Sequence, residues 1–196
     1  RILSLLRQTP RKIFARNCKV VELTTAQSRQ FCNTNHIQGA GSASVHLGLM
    51  HDEELVSVMT FGKPSISKGA KSSTVGEWEL SRFCSSLLTS VVGAANKLFV
   101  YFIQTRSPQQ VITYSDTRWN TGGVYQVMGF DRVHQTPPNY WYFRLPCYER
   151  LHRFSLRKNK QDDATLTEWE NRQAQGWNRI WDCGNTKWIW MKKAEL

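Results

Sequence analysis

Three side chains near the middle of the chain have the types and spacing to do chemistry: Arg82, Asp116 and Tyr125. Asp116 follows Ser115 at the end of the short β-branched run Val111–Tyr114. A carboxylate at the C-terminal end of a parallel strand stands where ligands bind in open α/β sheets. It can orient or deprotonate an amine there, or simply cap the turn before the next helix. Tyr125 offers a phenol proton or a ring to pack on a sheet. Arg82 follows Glu79-Leu80-Ser81, and beside apolar strand residues it can hold a phosphate or pair with Asp116. An unbroken pleat puts Glu79 and Arg82, three residues apart, on opposite faces.

Other residues suit a bound ligand. The run Ser90, Val91, Val92, Gly93, Ala94, Ala95 opens an apolar helix. Small residues there let a pyrophosphate approach the backbone N–H groups at the helix N-terminus, though they serve close helix–sheet packing equally well. His36 and Gln38, beside Asn35, can read a base edge or handle a proton, or His36 can sit in a turn satisfied by backbone. Arg118 and Trp119 can stack on a base or ligand. Hydrolysis by a Ser-His-Asp or Cys-His set has no supporting motif, and Cys84 reads as core.

The elements that must position these groups follow from periodicity. Glu77–Cys84 alternates bulky and polar residues as a part-buried strand, and Leu98, Phe99, Tyr101, Phe102 and Ile103 give an apolar helix. A strand at Val111–Tyr114 and a helix from Gly122-Gly123 to Gly129 complete a right-handed crossover unit with parallel strands. Upstream, Arg1–Arg7 reads as a short helix, Ile13–Leu23 as a first strand, and Ala26–Thr34 as a helix capped by Thr24 or Thr25. Val45–Met50 and Leu55–Phe61 form a hairpin around His51–Glu54. Gly62–Gly76, with Lys63, Lys68 and Lys71, is a long loop fit for a lid or a phosphate-contacting arm. Downstream, Tyr140–Phe143 is an aromatic strand that either closes the sheet or stacks bases. Leu151–Lys160 is a basic helix, Thr165–Gln175 a further helix, and Gly176–Trp190 a hairpin turning at Gly184-Asn185. Three parts follow: a basic N-terminal segment and first strand (1–23), an α/β core (24–146), and a basic C-terminal extension (147–196).

The 196 residues can bury one good core, and 40% hydrophobic content with eight Trp excludes a disordered chain. No apolar run reaches spanning length and no signal peptide is evident, so a cytoplasmic protein without a membrane partner is expected. Starting at Arg1, the chain reads as a fragment or processed piece. Five widely spaced Cys without a CxxC pair fit reduced thiols better than disulfides or zinc, and no metal site is expected. The net charge of +11 is concentrated at the flanks. Residues 1–30 hold seven Lys/Arg against the single acid Glu22, and residues 144–160 hold six, among them Arg153, Arg157 and Lys158, against Glu149. Cationic segments beside Trp and Tyr are the electrostatic footprint of nucleic acid, unless they only aid solubility; DNA is therefore the expected partner.

The string Val124-Tyr125-Gln126-Val127-Met128-Gly129-Phe130 resembles the closing motif of the GNAT N-acyltransferase superfamily. Ser90–Ala95 resembles its pyrophosphate loop, with Gly93 and Ala95 at the small positions and Ser90 where Arg or Gln is usual. The stretches LVSVMTFGKP (55–64), EWELSRFCS (77–85), YSDTRWNTGGVYQVMGF (114–130), PNYWYF (138–143) and RIWDCGNTKWIW (179–190) are similar, together, to a phage GNAT-like domain. That domain follows Vsr-like homing endonucleases, and the basic start at Arg1 resembles the end of such a nuclease. The core is similar, more distantly, to the Mom proteins, GNAT-like enzymes that alter adenine in phage DNA. These resemblances imply a mixed α/β GNAT-like fold with a basic N-terminal helix and a small C-terminal helix/hairpin appendage. They imply acyl-CoA (acetyl-CoA) at Ser90–Ala95, functional roles for Arg82, Asp116 and Tyr125 with the Tyr125 phenol protonating a thiolate, and a host-cell cytoplasmic location. A flipped-out nucleobase amine is the implied acceptor. The other class left open is a DNA-binding accessory to an upstream nuclease that transfers nothing.

Overall fold

The structure, a computed structural model, describes residues 2–6, 8–64, 75–147 and 149–193. After a short helix, α1 (Ile2–Leu5), the expected first strand is two: β1 (Arg11–Phe14) and β2 (Lys19–Glu22), separated by a 3-10 turn at Ala15–Asn17. α2 (Thr25–Asn35) begins at a capping box. Thr24 Oγ1 accepts from the Gln27 backbone N–H at 3.2 Å, and Gln27 Oε1 accepts from the Thr24 N–H at 3.0 Å. β3 (Val45–His51) and β4 (Glu54–Gly62) form the expected hairpin, turning at Asp52 and Glu53 with φ of 46° and 65°. Two positive φ values match the right-handed twist of the strands they join. Lys68 and Lys71 of the expected loop lie outside the described residues.

The crossover unit has its expected elements: β5 (Glu77–Ser85), α3 (Ala94–Arg106), β7 (Gln110–Asp116) and α4 (Gly123–Val127). It also has an unexpected one. Thr89–Val92 is a strand, β6, paired in parallel with β1, Arg11 opposite Thr89 and Phe14 opposite Val92. The first four residues of the small-residue run are thus mostly strand rather than loop. A second correction concerns the pleat of β5. Its register with β4 runs Gly62↔Glu79, Phe61↔Leu80, Thr60↔Arg82, which leaves Ser81 as a bulge. Residues opposite Thr60 and Gly62 share a face, so Glu79 and Arg82 lie on the same side, not opposite sides.

Downstream come β8 (Asp131–Gln135), β9 (Tyr140–Phe143), β10 (Leu151–His152), α5 (Glu168–Ala174), β11 (Asn178–Trp181) and β12 (Asn185–Met191). β9 does not close the main sheet; it lies between β10 and β11 in a separate antiparallel sheet. β11 and β12 belong to different sheets, so the expected terminal hairpin does not exist. Nor is Leu151–Lys160 a basic helix: two strand residues lead into a 3-10 turn at Arg153–Leu156. α5 starts later than expected, after the Thr167–Glu170 capping box.

The main sheet has seven strands in the order β2-β3-β4-β5-β7-β12-β8. The chain divides into two compact units, one of Arg1–Tyr114, Gly122–Val133 and Lys187–Leu196, the other of Ser115–Thr121 and His134–Thr186. The core of the first is α3 against the sheet. Phe102 stacks on Phe61 with ring centroids 3.6 Å apart and meets Trp78 edge-on, while Phe99 packs on Phe130 and Trp190. Leu98, Phe99 and Phe102 are essentially inaccessible to solvent, the buried stripe expected of this helix.

Candidate active site

β5 and β7 pair in parallel only between Glu77–Glu79 and Gln110–Ile112. At the next residue a side chain replaces the ladder: Thr113 Oγ1 donates to the Leu80 carbonyl at 3.0 Å. The Ser81 bulge follows at once, and bulges twist and bend a strand. From Arg82 to Ser85, β5 keeps its pairing with β4, and among the described residues no strand pairs its other edge. The sheet is parted at this point.

Tyr125 stands beside the parting. Gly122 caps the start of α4 with a φ of +82° that favours glycine, and a Cβ there would overlap the Trp188 indole. One turn on, the Tyr125 ring packs against Trp188 and Phe130, with centroids 5.9 Å from each. Its phenol is nearly inaccessible. Burial pushes its pKa up, opposed by a hydrogen bond with Thr113 and by the Arg82 charge. The group is therefore a neutral donor across the physiological range.

Arg82 is pinned by backbone carbonyls: Nε donates to Gly39 O at 2.9 Å and Nη1 to Ser81 O at 2.7 Å. The first bond ties the His36–Gly39 turn, at the end of α2, to β5. His36 Nδ1 accepts from the Gln38 N–H at 3.0 Å, which assigns the remaining ring proton to Nε2. Burial, and then the neighbouring Arg82 charge, lower the His36 pKa to about 4. At neutral pH His36 is thus an uncharged N–H donor with its acceptor nitrogen engaged. It is not placed to take a proton.

Asp116, Arg118 and Trp119 belong to the second unit. Asp116 fulfils the capping alternative: Oδ1 accepts from the Arg118 backbone N–H at 3.0 Å, and its carbonyl accepts from the N–H groups of Trp119 and Asn120. Arg118 also closes a side-chain fork on it, with Nη2 2.6 Å from Oδ2 and Nε 3.0 Å from Oδ1. Asp116 raises the Arg118 pKa, chiefly by this hydrogen bonding. The Arg118 guanidinium is therefore directed at a carboxylate, while Trp119 is 44% exposed.

In the small-residue run, Ala94 and Ala95 are buried, the packing role, and Gly93 caps α3 with φ +82°. A Cβ at Gly93 would meet only Ala15, at 3.7 Å, so backbone conformation rather than crowding demands glycine. Beside Gly93 lies a groove of about 530 Å³ lined by Phe14, Arg16, Val92, Asn96, Lys97 and Tyr101, among others. Lys97 Nζ donates to the carbonyls of Ala15 and Cys18 at 2.9 and 2.5 Å, closing the 3-10 turn onto α3.

The basic residues Arg153, Arg157 and Lys158 all lie in the second unit. Lys158 is committed, its ammonium donating to the carbonyls of Ala164 and Leu166. Arg153 and Arg157 stack on Phe154. Sequence reasoning missed Thr113, whose hydroxyl holds the two strands where they part. A β-branched hydroxyl residue inside a buried strand is the signal that was available.

No protein-family model matches the chain, and no curated protein does. Solved structures do resemble it. The ribosomal-protein-S18-alanine N-acetyltransferase of Escherichia coli is 9% identical with a TM-score of 0.52, over 91% of this chain and 96% of that one. Spermidine/spermine N-acetyltransferase SpeG of Vibrio cholerae is 7% identical, TM-score 0.52, over 90% and 94%. YncA of Salmonella typhimurium, solved with acetyl-CoA, is 10% identical, TM-score 0.52, over 91% and 96%. The chain has the mixed α/β fold of GNAT acetyltransferases.

Proposed function

We propose that this chain is an acyl-CoA-dependent N-acyltransferase that acts at DNA, with a nucleobase amine as acceptor. The observation that carries the transfer is the unpaired edge of β5 beyond Glu79, beside the buried neutral phenol of Tyr125. Such an edge takes an extended, amide-bearing ligand by main-chain hydrogen bonds, which is the chemistry of a pantetheine arm. Gly93 at the start of α3 offers N–H groups to the pyrophosphate. Tyr125 would protonate the leaving thiolate, and Arg82 would stabilise negative charge beside it. The GNAT-fold enzyme YncA was solved with acetyl-CoA, which supports the same cofactor here. The DNA acceptor rests on the net charge of +11 and on the resemblance to phage Mom-type proteins.

One observation favours a second reading, a DNA-binding accessory of a phage homing endonuclease without transfer. Ser90–Val92 pairs with β1, so part of the backbone in the small-residue run already serves a ladder. Calorimetry of acetyl-CoA with the purified chain, with and without duplex DNA, separates the two. Micromolar binding lost in Gly93→Glu, followed by an acylated nucleoside in mass spectrometry, supports the transferase. Salt-sensitive DNA binding without CoA binding leaves the accessory.

A further inference from the structure

The second unit gathers aromatic rings and guanidinium groups in alternation. Along one line, Arg157 lies 3.9 Å from the Phe154 ring centre and Arg153 lies 5.1 Å from the same ring. Arg153 also lies 5.7 Å from the Tyr140 ring, and Arg179 lies 5.3 Å from it. Arg179 continues to Trp181 at 5.1 Å and stacks on Trp169 at 3.8 Å. The register of β9 with β11, Tyr142↔Arg179 and Tyr140↔Trp181, puts these four side chains on one face.

Two features separate this array from ordinary packing. First, its ends are open: Phe154 is 47% and Trp181 53% exposed. Second, among the described residues no carboxylate lies within ion-pair distance of the three guanidinium groups, and the Nε atoms of Arg153 and Arg179 are buried without a hydrogen-bond partner. Arg172 in the same unit shows the contrast. Its side chain is saturated by both Asp162 oxygens, Gln175 and the carbonyls of Leu156 and Arg157. Through those carbonyls it fixes the turn that carries Arg153, Phe154 and Arg157. Glu168 accepts from the Tyr140 and Tyr142 hydroxyls and fixes the other side. Arg172 is neutralised by Asp162, and Glu168 meets neutral hydroxyls, so the array sets three guanidinium groups against one supporting carboxylate.

Exposed rings bordered by planar cations without carboxylate partners complement an anionic chain of flat groups. We infer that this array binds an unpaired stretch of nucleic-acid strand, its bases stacking on Phe154 and Trp181 and its phosphates meeting Arg153, Arg157 and Arg179. A duplex keeps its bases stacked inside and can offer the array only phosphate. The inference deepens the DNA reading above and rests on it, since extruding a base for chemistry leaves a locally unpaired strand.

Fluorescence anisotropy of the full chain with oligo-thymidine and with a duplex of equal length tests this. Trp181→Ala and Phe154→Ala are expected to weaken single-strand binding about tenfold each and duplex binding less than twofold. Arg157→Lys, which keeps charge but loses the planar stack, is expected to weaken single-strand binding as well. Trp181→Phe, which keeps a ring, should restore most of it, and circular dichroism confirms folding of each variant. Equal losses on both DNAs would reduce the array to a phosphate surface and overturn the inference. Unchanged binding in all variants would make the array structural and also overturn it. If the unaltered chain binds neither DNA, the DNA reading itself fails, and with it this inference.

Discussion

Arg118 closes a two-point fork on Asp116, with Nη2 2.6 Å from Oδ2 and Nε 3.0 Å from Oδ1, while its own backbone N–H holds the same carboxylate. The pair is mostly buried, with side chains 26% and 12% exposed. A carboxylate held this way is committed to its own turn, the capping role, and the fork makes that turn rigid. Arg118→Ala is expected to lower stability by about 1–3 kcal/mol, because it leaves a mostly buried carboxylate without its partner. Arg118→Lys should lie between, because an ammonium cannot reproduce the fork. Duplex affinity should stay within about twofold, as expected when a guanidinium serves a carboxylate and not a phosphate. A large loss of affinity with unchanged stability would return Arg118 to the DNA surface.

Tyr125→Phe removes only a hydroxyl from a ring wedged between Trp188 and Phe130. Turnover is expected to fall about 100-fold, within the usual range for losing a general acid, and stability by about 1 kcal/mol. Because burial raises the phenol pKa, its deprotonation should place no basic limb in the rate profile below about pH 10. Rates measured from pH 6 to about 10 check both statements.

Local features of this fold were legible in the sequence and non-local pairings were not. Leu98, Phe99 and Phe102 recur with a helical period, and Asp52-Glu53 separates two apolar runs, so α3 and the β3–β4 hairpin followed from patterning. Nothing near Thr89 announces a partner at Arg11, since the β1–β6 pairing joins distant segments. For the same reason β11 and β12, adjacent in sequence and split by Gly184, looked like one hairpin. Gly184 instead lies against the Thr136 carbonyl, where any Cβ would collide. Within the site, residue types were readable, but faces and partners were not. A single bulge at Ser81 reversed the expected relation of Glu79 and Arg82, and the mate of Asp116 proved to lie two residues away.

His36 carries a prediction about pH. Its pKa is near 4 in the folded chain and about 6.5 when freely exposed, so protonation favours the unfolded state. The stability this group confers is complete above pH 6.5, declines as pH falls, and is lost below about pH 4. Urea midpoints measured across that window should fall toward acid, and His36→Gln should flatten the decline. An unchanged slope in the variant would assign acid sensitivity elsewhere, His46 being next in line because burial lowers its pKa as well.

The β3–β4 turn stores strain that substitution can remove. Asp52 and Glu53 both hold positive φ, and Glu53 at 65° has no local reason to tolerate it. Replacing the pair by Asn-Gly, which adopts this turn readily, should raise stability by about 1 kcal/mol and leave transfer unaffected. A thermal melt reads the gain directly. A loss would mean that the Asp52 or Glu53 side chain itself holds the turn.

Neighbouring glycines before Tyr125 should respond with opposite signs. Gly122 has φ +82° and abuts the Trp188 indole, so Gly122→Ala is both strained and overpacked. A loss of about 2–4 kcal/mol is expected, the sum of a left-handed penalty and a core overlap. Because Trp188 is one wall of the Tyr125 site, turnover should fall too. Gly123 opens α4 without positive φ, and a Cβ there meets nothing within 4 Å. Gly123→Ala should therefore stabilise by about 0.5–1 kcal/mol through the unfolded chain and the helix. Urea denaturation of the two variants side by side checks the signs. If both destabilise equally, crowding at Trp188 is not what selects glycine at 122, and the argument that places Tyr125 through that contact fails with it.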